Sequence, residues 1–494
     1  MRAKITHRSD WARKLLQIHA ELRKGNICMN DLLSKLPNMN SLLEQPMFSR
    51  YSTERVKRTA DEVLDKQRQG ILSGKITSPI SLEDCTDLIY SQIADEHTNL
   101  KRVINATGVV LHTNLGRAPL GNDMISQAFE ACSGYCNLEY DLKSGKRGSR
   151  YSHVEDLICE ITNAESAMIA NNNAAAMVLI LGSLAKGKKV AISRGELVEI
   201  GGSFRIPEVI VQSGAELIEI GSTNKTKLSD YIDAVENKGA EVLLKVHTSN
   251  YEVIGFTESV SVSELADYGK SVGLPVVYDL GSGFMIEPER YGFIAGETVM
   301  SGLKAGADIV CFSGDKLLGA TQAGIIAGRA DLITAMKKHP LTRALRPDKL
   351  TLSVLESALR LYRYPEEAAR NIPVLSMLFA KNEDLKKRAE TLSNDIKLHL
   401  KDWDIGICEV IDETGGGALP NVPLHGWAVA LKPRDISLSE LEHKLRFSKF
   451  PTIIRIQDGT ALISVRTLMP YDEDLIIYAL RTISEGVTGA THDR

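Results

Sequence analysis

Apolar and polar positions change their period twice along the 494-residue chain. Over residues 9–36 apolar side chains recur three and four apart. Trp11, Leu15, Ile18 and Leu22 share one face, and Ile27, Leu32, Leu33 and Leu36 follow a break at Gly25, which predicts helix. Pro37, Asn38 and Pro46 interrupt the pattern. It resumes at Val56, Ala60, Val63 and Leu64, on a segment that also carries Arg50, Arg55, Lys57, Arg58, Lys66 and Arg68. The apolar stripe is spoken for by packing, so the basic residues fall on the exposed face of a small helical module. Gly70, Gly74 and Pro79 loosen the chain before a further helix, Leu82 to Leu100.

From Val103 the texture becomes short apolar runs punctuated by Gly-, Asn- and Asp-containing turns and alternating with helical segments, the pattern of a parallel α/β sheet. Strands are expected at 166–171, 188–193, 215–220, 242–247, 274–280 and 308–314, with a helix over 174–184. Near Pro340 the alternation stops. Helical spacing at 350–362 and 373–400 leads to a smaller α+β portion containing GWAVAL, TIIRIQ and ALISVR and a last helix at 473–485. These changes of texture divide the chain into a basic helical module (1–75), a linker helix (76–101), a large α/β domain (102–340) and a small α+β domain (341–494).

Charge sharpens that division. Residues 1–75 hold fifteen Lys and Arg against eight Asp and Glu, whereas the remainder holds 44 against 55. A basic appendage on an acidic body suits a polyanionic partner, and it equally suits a solvated helical surface. Seven cysteines, an odd number with no C-x-x-C pair, make no disulfide framework and no zinc site, which fits a reducing compartment. The N-terminus lacks the apolar core of a signal peptide, and no apolar run is long enough to span a membrane, so the expected location is the cytoplasm.

Three places carry candidate chemistry. In DIVCFSGDKLLGATQAGIIAG (308–328), Lys316 stands between two apolar runs that read as buried strands. Desolvation there would lower the amine's pKa and leave it nucleophilic, although a lysine capping a strand end in solvent would look the same. Asn171-Asn172-Asn173-Ala174 joins a strand to an Ala-rich helix, and its free N–H groups could bind an anion or simply reflect N-capping. Asp279 closes LPVVYDL ahead of Gly281-Ser282-Gly283, at the sheet edge where α/β folds bind ligands. Taken in chain order, the helix-start turn, then Asp279, then Lys316 37 residues later, they supply the three contacts pyridoxal 5'-phosphate needs, for its phosphate, its pyridine nitrogen and its aldehyde respectively. Two near-matches fail, one to a phosphate-binding P-loop and one to a dinucleotide fingerprint. GSLAKGKK (182–189) lacks the Ser/Thr and runs from helix into strand, and Gly281-Ser-Gly lacks its third glycine. Arg117, Arg343 and Arg346 lie just outside the sheet elements. Guanidinium forks suit phosphate-like anions, and Arg343 and Arg346, three apart, would share a helix face, with surface ion pairing as the plain alternative.

RVINATGVVLHTNLGRAPL (102–120), the Asn-rich turn, VVYDLGSG (276–283) and FSGDKLLGATQAG (312–324) together resemble bacterial L-seryl-tRNA(Sec) selenium transferases, the selenocysteine synthase family. The resemblance spans essentially the whole chain, including the N-terminal helical module that shorter relatives lack. It implies an α/β, aspartate-aminotransferase-like fold (pyridoxal phosphate fold type I) with a smaller C-terminal α+β domain. It implies Lys316 as the cofactor-linked lysine, Asp279 as partner of the pyridinium nitrogen and Asp315 as an acidic catalytic residue. Asn172, Asn173 and Ser313 join the cofactor-binding set, and Arg117, Arg343 and Arg346 surround selenophosphate. The basic module would bind seryl-tRNA(Sec), and the assembly would be a homo-oligomeric ring of dimers, a decamer. The implied reaction converts the seryl to a selenocysteinyl group through an aminoacrylyl intermediate. Ala320-Thr321 departs from the Gly-Pro more usual after the lysine motif, beyond the functional residues. A pyridoxal-phosphate lyase or aldolase acting on a free small molecule would share every cofactor residue but would not need the basic module. A non-catalytic tRNA-binding protein would keep the module and not need Lys316.

Overall fold

The structure, a computed structural model, describes residues 29–95, 99–200, 204–248, 250–251, 253–293, 297–420 and 422–486. The chain forms two compact units, residues 1–102 and 103–494. The first helical turns expected from residue 9 lie outside the described residues.

In the first unit, helices span Met29–Ser34, Met39–Leu43, Thr53–Leu72 and Leu82–Asp95. Asn38 caps the second, its side-chain oxygen accepting from the Ser41 N–H at 2.8 Å. The spacing of Val56, Ala60, Val63 and Leu64 puts all four on one stripe, which is buried against Leu42, Phe48, Cys85, Ile89 and Ile93. The opposite face leaves Lys57, Arg58, Lys66 and Arg68 exposed. Arg55 instead turns inward, donating to the Ile93 carbonyl at 3.1 Å.

Among the described residues the second unit holds seventeen strands. In chain order they are β1 (Ile104–Ala106), β2 (Val109–Leu111), β3 (Tyr140–Asp141), β4 (Lys146–Arg147), β5 (Ser166–Ala170) and β6 (Lys189–Ser193). Next come β7 (Glu199–Ile200), β8 (Phe204–Arg205), β9 (Glu216–Ile220), β10 (Val242–Val246), β11 (Val276–Gly281), β12 (Ile309–Ser313) and β13 (Gly324–Gly328). The last four are β14 (Asp404–Gly415), β15 (Leu424–Lys432), β16 (Thr452–Gln457) and β17 (Thr460–Ser464). Seven form the main sheet in the order β5-β13-β12-β11-β10-β6-β9. All are parallel except β13, which runs antiparallel to both β12 and β5. The expected strands are the observed ones to within two residues at each end. Their near-continuous apolar runs follow from helices covering both faces, since β5, β11, β12 and β13 are buried at every position.

A six-stranded sheet, β1-β16-β17-β15-β14-β2, forms the C-terminal layer. Both of its outer strands come from residues 104–111, at the start of the span the sequence assigns to the large domain, and both pair in parallel. The helix expected over 373–400 is two helices, Pro373–Leu378 and Asn382–His399. No helix among the described residues is long and apolar enough to cross a membrane.

Candidate active site

The C-terminal ends of β5, β10, β11 and β12 open on one side of the main sheet, where ligands bind in open α/β folds. Lys316 lies in the turn between β12 and β13 and is 4% exposed. That turn is laced to its neighbours. The Leu317 N–H donates to the Ser282 carbonyl (3.1 Å), the Ala118 N–H to the Asp315 carbonyl (3.3 Å), and the buried Tyr362 hydroxyl to the Leu318 carbonyl (2.8 Å). Burial pushes the Lys316 amine below the ordinary lysine range. The carboxylates of Asp279 and Asp315 oppose the shift and the Arg117 cation adds to it. The desolvated-lysine reading is therefore the one the fold realises, and solvent capping is not.

Asp279 sits near the end of β11, paired in register with Cys311 of β12, and is 2% exposed. Burial raises its pKa. Against that, its Oδ1 accepts from the Asn173 Nδ2 at 2.8 Å and from the Gly281 N–H at 3.0 Å, and the Cys311 thiol and the Lys316 charge also favour the carboxylate. Lys316 and Asp279 thus feel each other's charge across one site.

The Asn-rich turn divides its labour in a way the sequence leaves open. Asn172 is the N-cap of the helix Asn173–Leu184, its Oδ1 accepting from the Ala175 N–H at 2.8 Å. Asn173, the first helical residue, turns its side chain to Asp279. The N–H groups of Asn173 and Ala174 precede the helix's own acceptors and remain available to an anion. Gly324 of β13 underlies this turn: a Cβ there would come within 2.1 Å of the Asn172 carbonyl oxygen, so only glycine lets strand and turn meet. Ser313, buried, is the last residue of β12.

The predicted arginines separate. Arg117, held at φ 62, ion-pairs with Asp315 at 2.8 Å and so stands beside the lysine turn. Arg346 ion-pairs with Glu139 at 3.2 Å, and the carbonyl of its neighbour Leu345 accepts from the Asn171 N–H at 2.7 Å. Arg343 is exposed and makes no ion pair to a described residue. Arg343 and Arg346 do not share a helix face, because the helix is only Leu341–Ala344 and ends before Arg346. Pro347 follows at once, and it disfavours helical conformation in the residue before it.

Two contributors were not read from the sequence. His247, just past β10, gives its backbone N–H to the Asp279 backbone carbonyl at 2.8 Å. Burial and the charges of Lys245 and Lys316 push its imidazole down to about 4, so the ring is neutral at ordinary pH. Gly417 follows β14 at φ 66, and a Cβ there would lie 4.0 Å from the Lys316 Nζ and 3.0 Å from the Asn250 Cβ. The position of His247 at a strand end, like Asp279, was the available signal. Gly417 ends the run Gly415-Gly416-Gly417, and that run of glycines was its available signal.

These residues fit pyridoxal phosphate. Besides an amine, a carboxylate and a helix start, the buried Asn173 Oδ1 and His247 Nδ1 have no hydrogen-bond partner among the described residues, which a polar ring with exocyclic oxygens would satisfy. No cluster of metal-ligating side chains occurs among the described residues.

A sequence model of the family described as L-seryl-tRNA selenium transferase matches residues 103–469. The L-seryl-tRNA(Sec) selenium transferase of Moorella thermoacetica is 46% identical over 94% of this chain and 98% of its own length. That of Carboxydothermus hydrogenoformans is 43% identical over 94% and 99%. Among solved structures, D-glucosaminate-6-phosphate ammonia-lyase shares the fold with a TM-score of 0.54 at 19% identity, covering 81% of this chain and 99% of that one. The matches run through both units and through every segment of the site, and on that ground the chain belongs to the L-seryl-tRNA selenium transferase family.

Proposed function

We propose that this protein converts L-seryl-tRNA(Sec) to L-selenocysteinyl-tRNA(Sec), with pyridoxal 5'-phosphate as cofactor and selenophosphate as selenium donor. The observation that carries the reading is a buried, desolvated lysine coupled to a buried aspartate, in a chain whose relatives with that activity in their names align over 94% of its length.

Lys316 and Asp279 would hold the cofactor at its aldehyde and its pyridine nitrogen, with the amides of Asn173 and Ala174 at its phosphate. The bound cofactor supplies an electron sink for negative charge developing at the serine Cα. The Asp279 carboxylate keeps a proton on the ring nitrogen, and Asn173 and Gly281 hold that carboxylate in line. Lys316 would be the base that takes the Cα proton. The lowered basicity of its amine makes the neutral form accessible, and Asp315 steadies the ammonium that results. The serine hydroxyl leaves as water and so needs a proton, which the Lys316 ammonium would return. The Cβ left behind is electrophilic. Arg117 and Arg346, with Arg343, would hold the selenophosphate anion while its selenium bonds to Cβ and Lys316 returns a proton to Cα; water then cleaves the Se–P bond and inorganic phosphate leaves.

The exposed basic face of the first unit binds the tRNA through its phosphates and shape. A soluble cytoplasmic homo-oligomer built from dimers completes the proposal. The test is conversion of seryl-tRNA(Sec) by purified protein given selenophosphate, with free serine as the comparison. Conversion of the tRNA-linked substrate alone supports the reading, and equal conversion of free serine contradicts it.

A further inference from the structure

Around the hairpin formed by β3 and β4, Glu139, Arg147 and Arg150 are charged side chains that the mechanism leaves unused, and they gather on Arg346, which it does use. Gly148 donates its N–H to the Glu139 carbonyl at 3.0 Å, so the chain doubles back and returns Arg150 to the Glu139 side chain. Arg150 forks onto Oε1 of Glu139 through Nε (3.0 Å) and Nη2 (2.5 Å). Its remaining nitrogen, Nη1, donates to the Pro347 carbonyl at 2.6 Å. Arg346 reaches the same Oε1 at 3.2 Å, and Arg147 takes Oε2 at 2.9 Å. The Arg150 side chain is 11% exposed and that of Arg147 is 77% exposed, so Arg150 is the structural member and Arg147 a rim contact. The loop bearing Arg346 is therefore fastened on both sides. Leu345 before it is bonded to Asn171, and Pro347 after it to Arg150.

We propose that Glu139 and Arg150 form a brace that aims Arg346 at a second anion, distinct from the cofactor phosphate that the Asn173 and Ala174 amides would take, making Glu139 a positioning residue for the anionic co-substrate. The inference rests on the reading of Arg346 as a donor-binding residue. One carboxylate among three guanidinium groups leaves the cluster with a net positive charge, so the brace restrains Arg346 without cancelling the attraction for a multiply charged oxyanion. Arg346 gives one nitrogen to Glu139 and keeps the rest of its fork for a ligand. The Arg150 hydrogen bonds hold the Glu139 carboxyl below its usual range, so it stays ionised at working pH. A free, solvated Arg346 would lose side-chain entropy on capturing the anion, and the brace removes part of that cost beforehand.

The test is equilibrium binding of inorganic thiophosphate, a stable analogue of the donor, to the full-length cofactor-loaded protein, followed by calorimetry. Glu139→Ala should weaken binding by about tenfold or more, with the visible spectrum of the bound cofactor unchanged. Glu139→Gln, whose carboxamide oxygen still accepts from Arg150 and Arg346, should stay within about threefold of wild type. Where Glu139→Ala does not fold, Arg150→Lys serves instead, because it keeps the charge and drops the fork; the same loss is expected. Unchanged or tighter binding in either variant, or no thiophosphate binding by the wild type, overturns the brace. No tRNA enters this assay. A protein that binds thiophosphate as described but leaves seryl-tRNA(Sec) unconverted would refute the function and leave the brace standing.

Discussion

Replacing Asn173 by alanine removes one donor from a carboxylate that has nowhere else to turn. Asp279 is 2% exposed, and the lost contact is the 2.8 Å bond from the Asn173 Nδ2. A hydrogen bond to a charged, buried acceptor contributes about 1.5–3 kcal/mol, and each pKa unit corresponds to about 1.4 kcal/mol. The donor favours the ionised form, so its loss moves the Asp279 pKa further up, by about 1–2 units on that scale. On the proposed role of the Asp279 anion, keeping a proton on the cofactor's ring nitrogen, the acid limb of the pH–turnover profile should move to higher pH by the same amount. Cofactor affinity should fall roughly tenfold or more. The helix itself should be little affected, because its N-cap is Asn172. The assay is seryl-tRNA(Sec) turnover against pH together with cofactor titration, and Asp279→Asn supplies a double-mutant cycle. On that background Asn173→Ala should add less than about 0.5 kcal/mol, since the interacting charge is already gone. An unmoved acid limb with unchanged cofactor affinity, or full additivity with Asp279→Asn, would refute the assignment of Asn173 to Asp279.

Other perturbations reach separate parts of the molecule. Asp412→Ala strands the Arg466 guanidinium in the C-terminal sheet, where the pair is 3.0 Å apart with side chains 3% and 0% exposed. Denaturant melting should show a loss of about 3–5 kcal/mol, and a loss under about 1 kcal/mol would count against a buried ion pair. Gly417→Ala forces a Cβ into a residue at φ 66 and against Asn250. It should cost about 1–2 kcal/mol of stability and lower turnover by shifting the strained turn that lies next to the Lys316 amine, read from melting and rate together; wild-type values for both would remove Gly417 from the site. Lys57→Ala and Lys66→Ala, on the exposed face of the Thr53–Leu72 helix, should each reduce the slope of log affinity for tRNA against log salt by about 1. Filter binding at several salt concentrations measures it, and an unchanged slope places the tRNA elsewhere.

Much of the main sheet was legible because its strands are buried on both faces and write themselves as unbroken apolar runs. β14 was not. Its twelve residues, DIGICEVIDETG, mix glycine and four acidic side chains because the strand is only partly buried. Tertiary pairing with β15 and β2 overrides its poor strand propensity. The site was readable to the extent that it sits at strand ends. Lys316 and Asp279 each close an apolar run, and sheet order then brings them together. What Asn172 and Asn173 do individually depends on which way a side chain turns at a helix start, which adjacent identical residues cannot encode. Glu139 lies about two hundred residues from Arg346 in sequence. Their pairing is made by the fold alone and leaves no local signature.

Every step of the proposed chemistry depends on Lys316 being the amine that bonds to the cofactor's aldehyde. Incubating the purified protein with pyridoxal phosphate, reducing with borohydride and mapping the fixed label by peptide mass spectrometry tests this without any substrate. The label should appear on the peptide containing Lys316 and vanish in Lys316→Ala. Labelling at a different lysine, or none under conditions where the wild type is folded, would contradict the account.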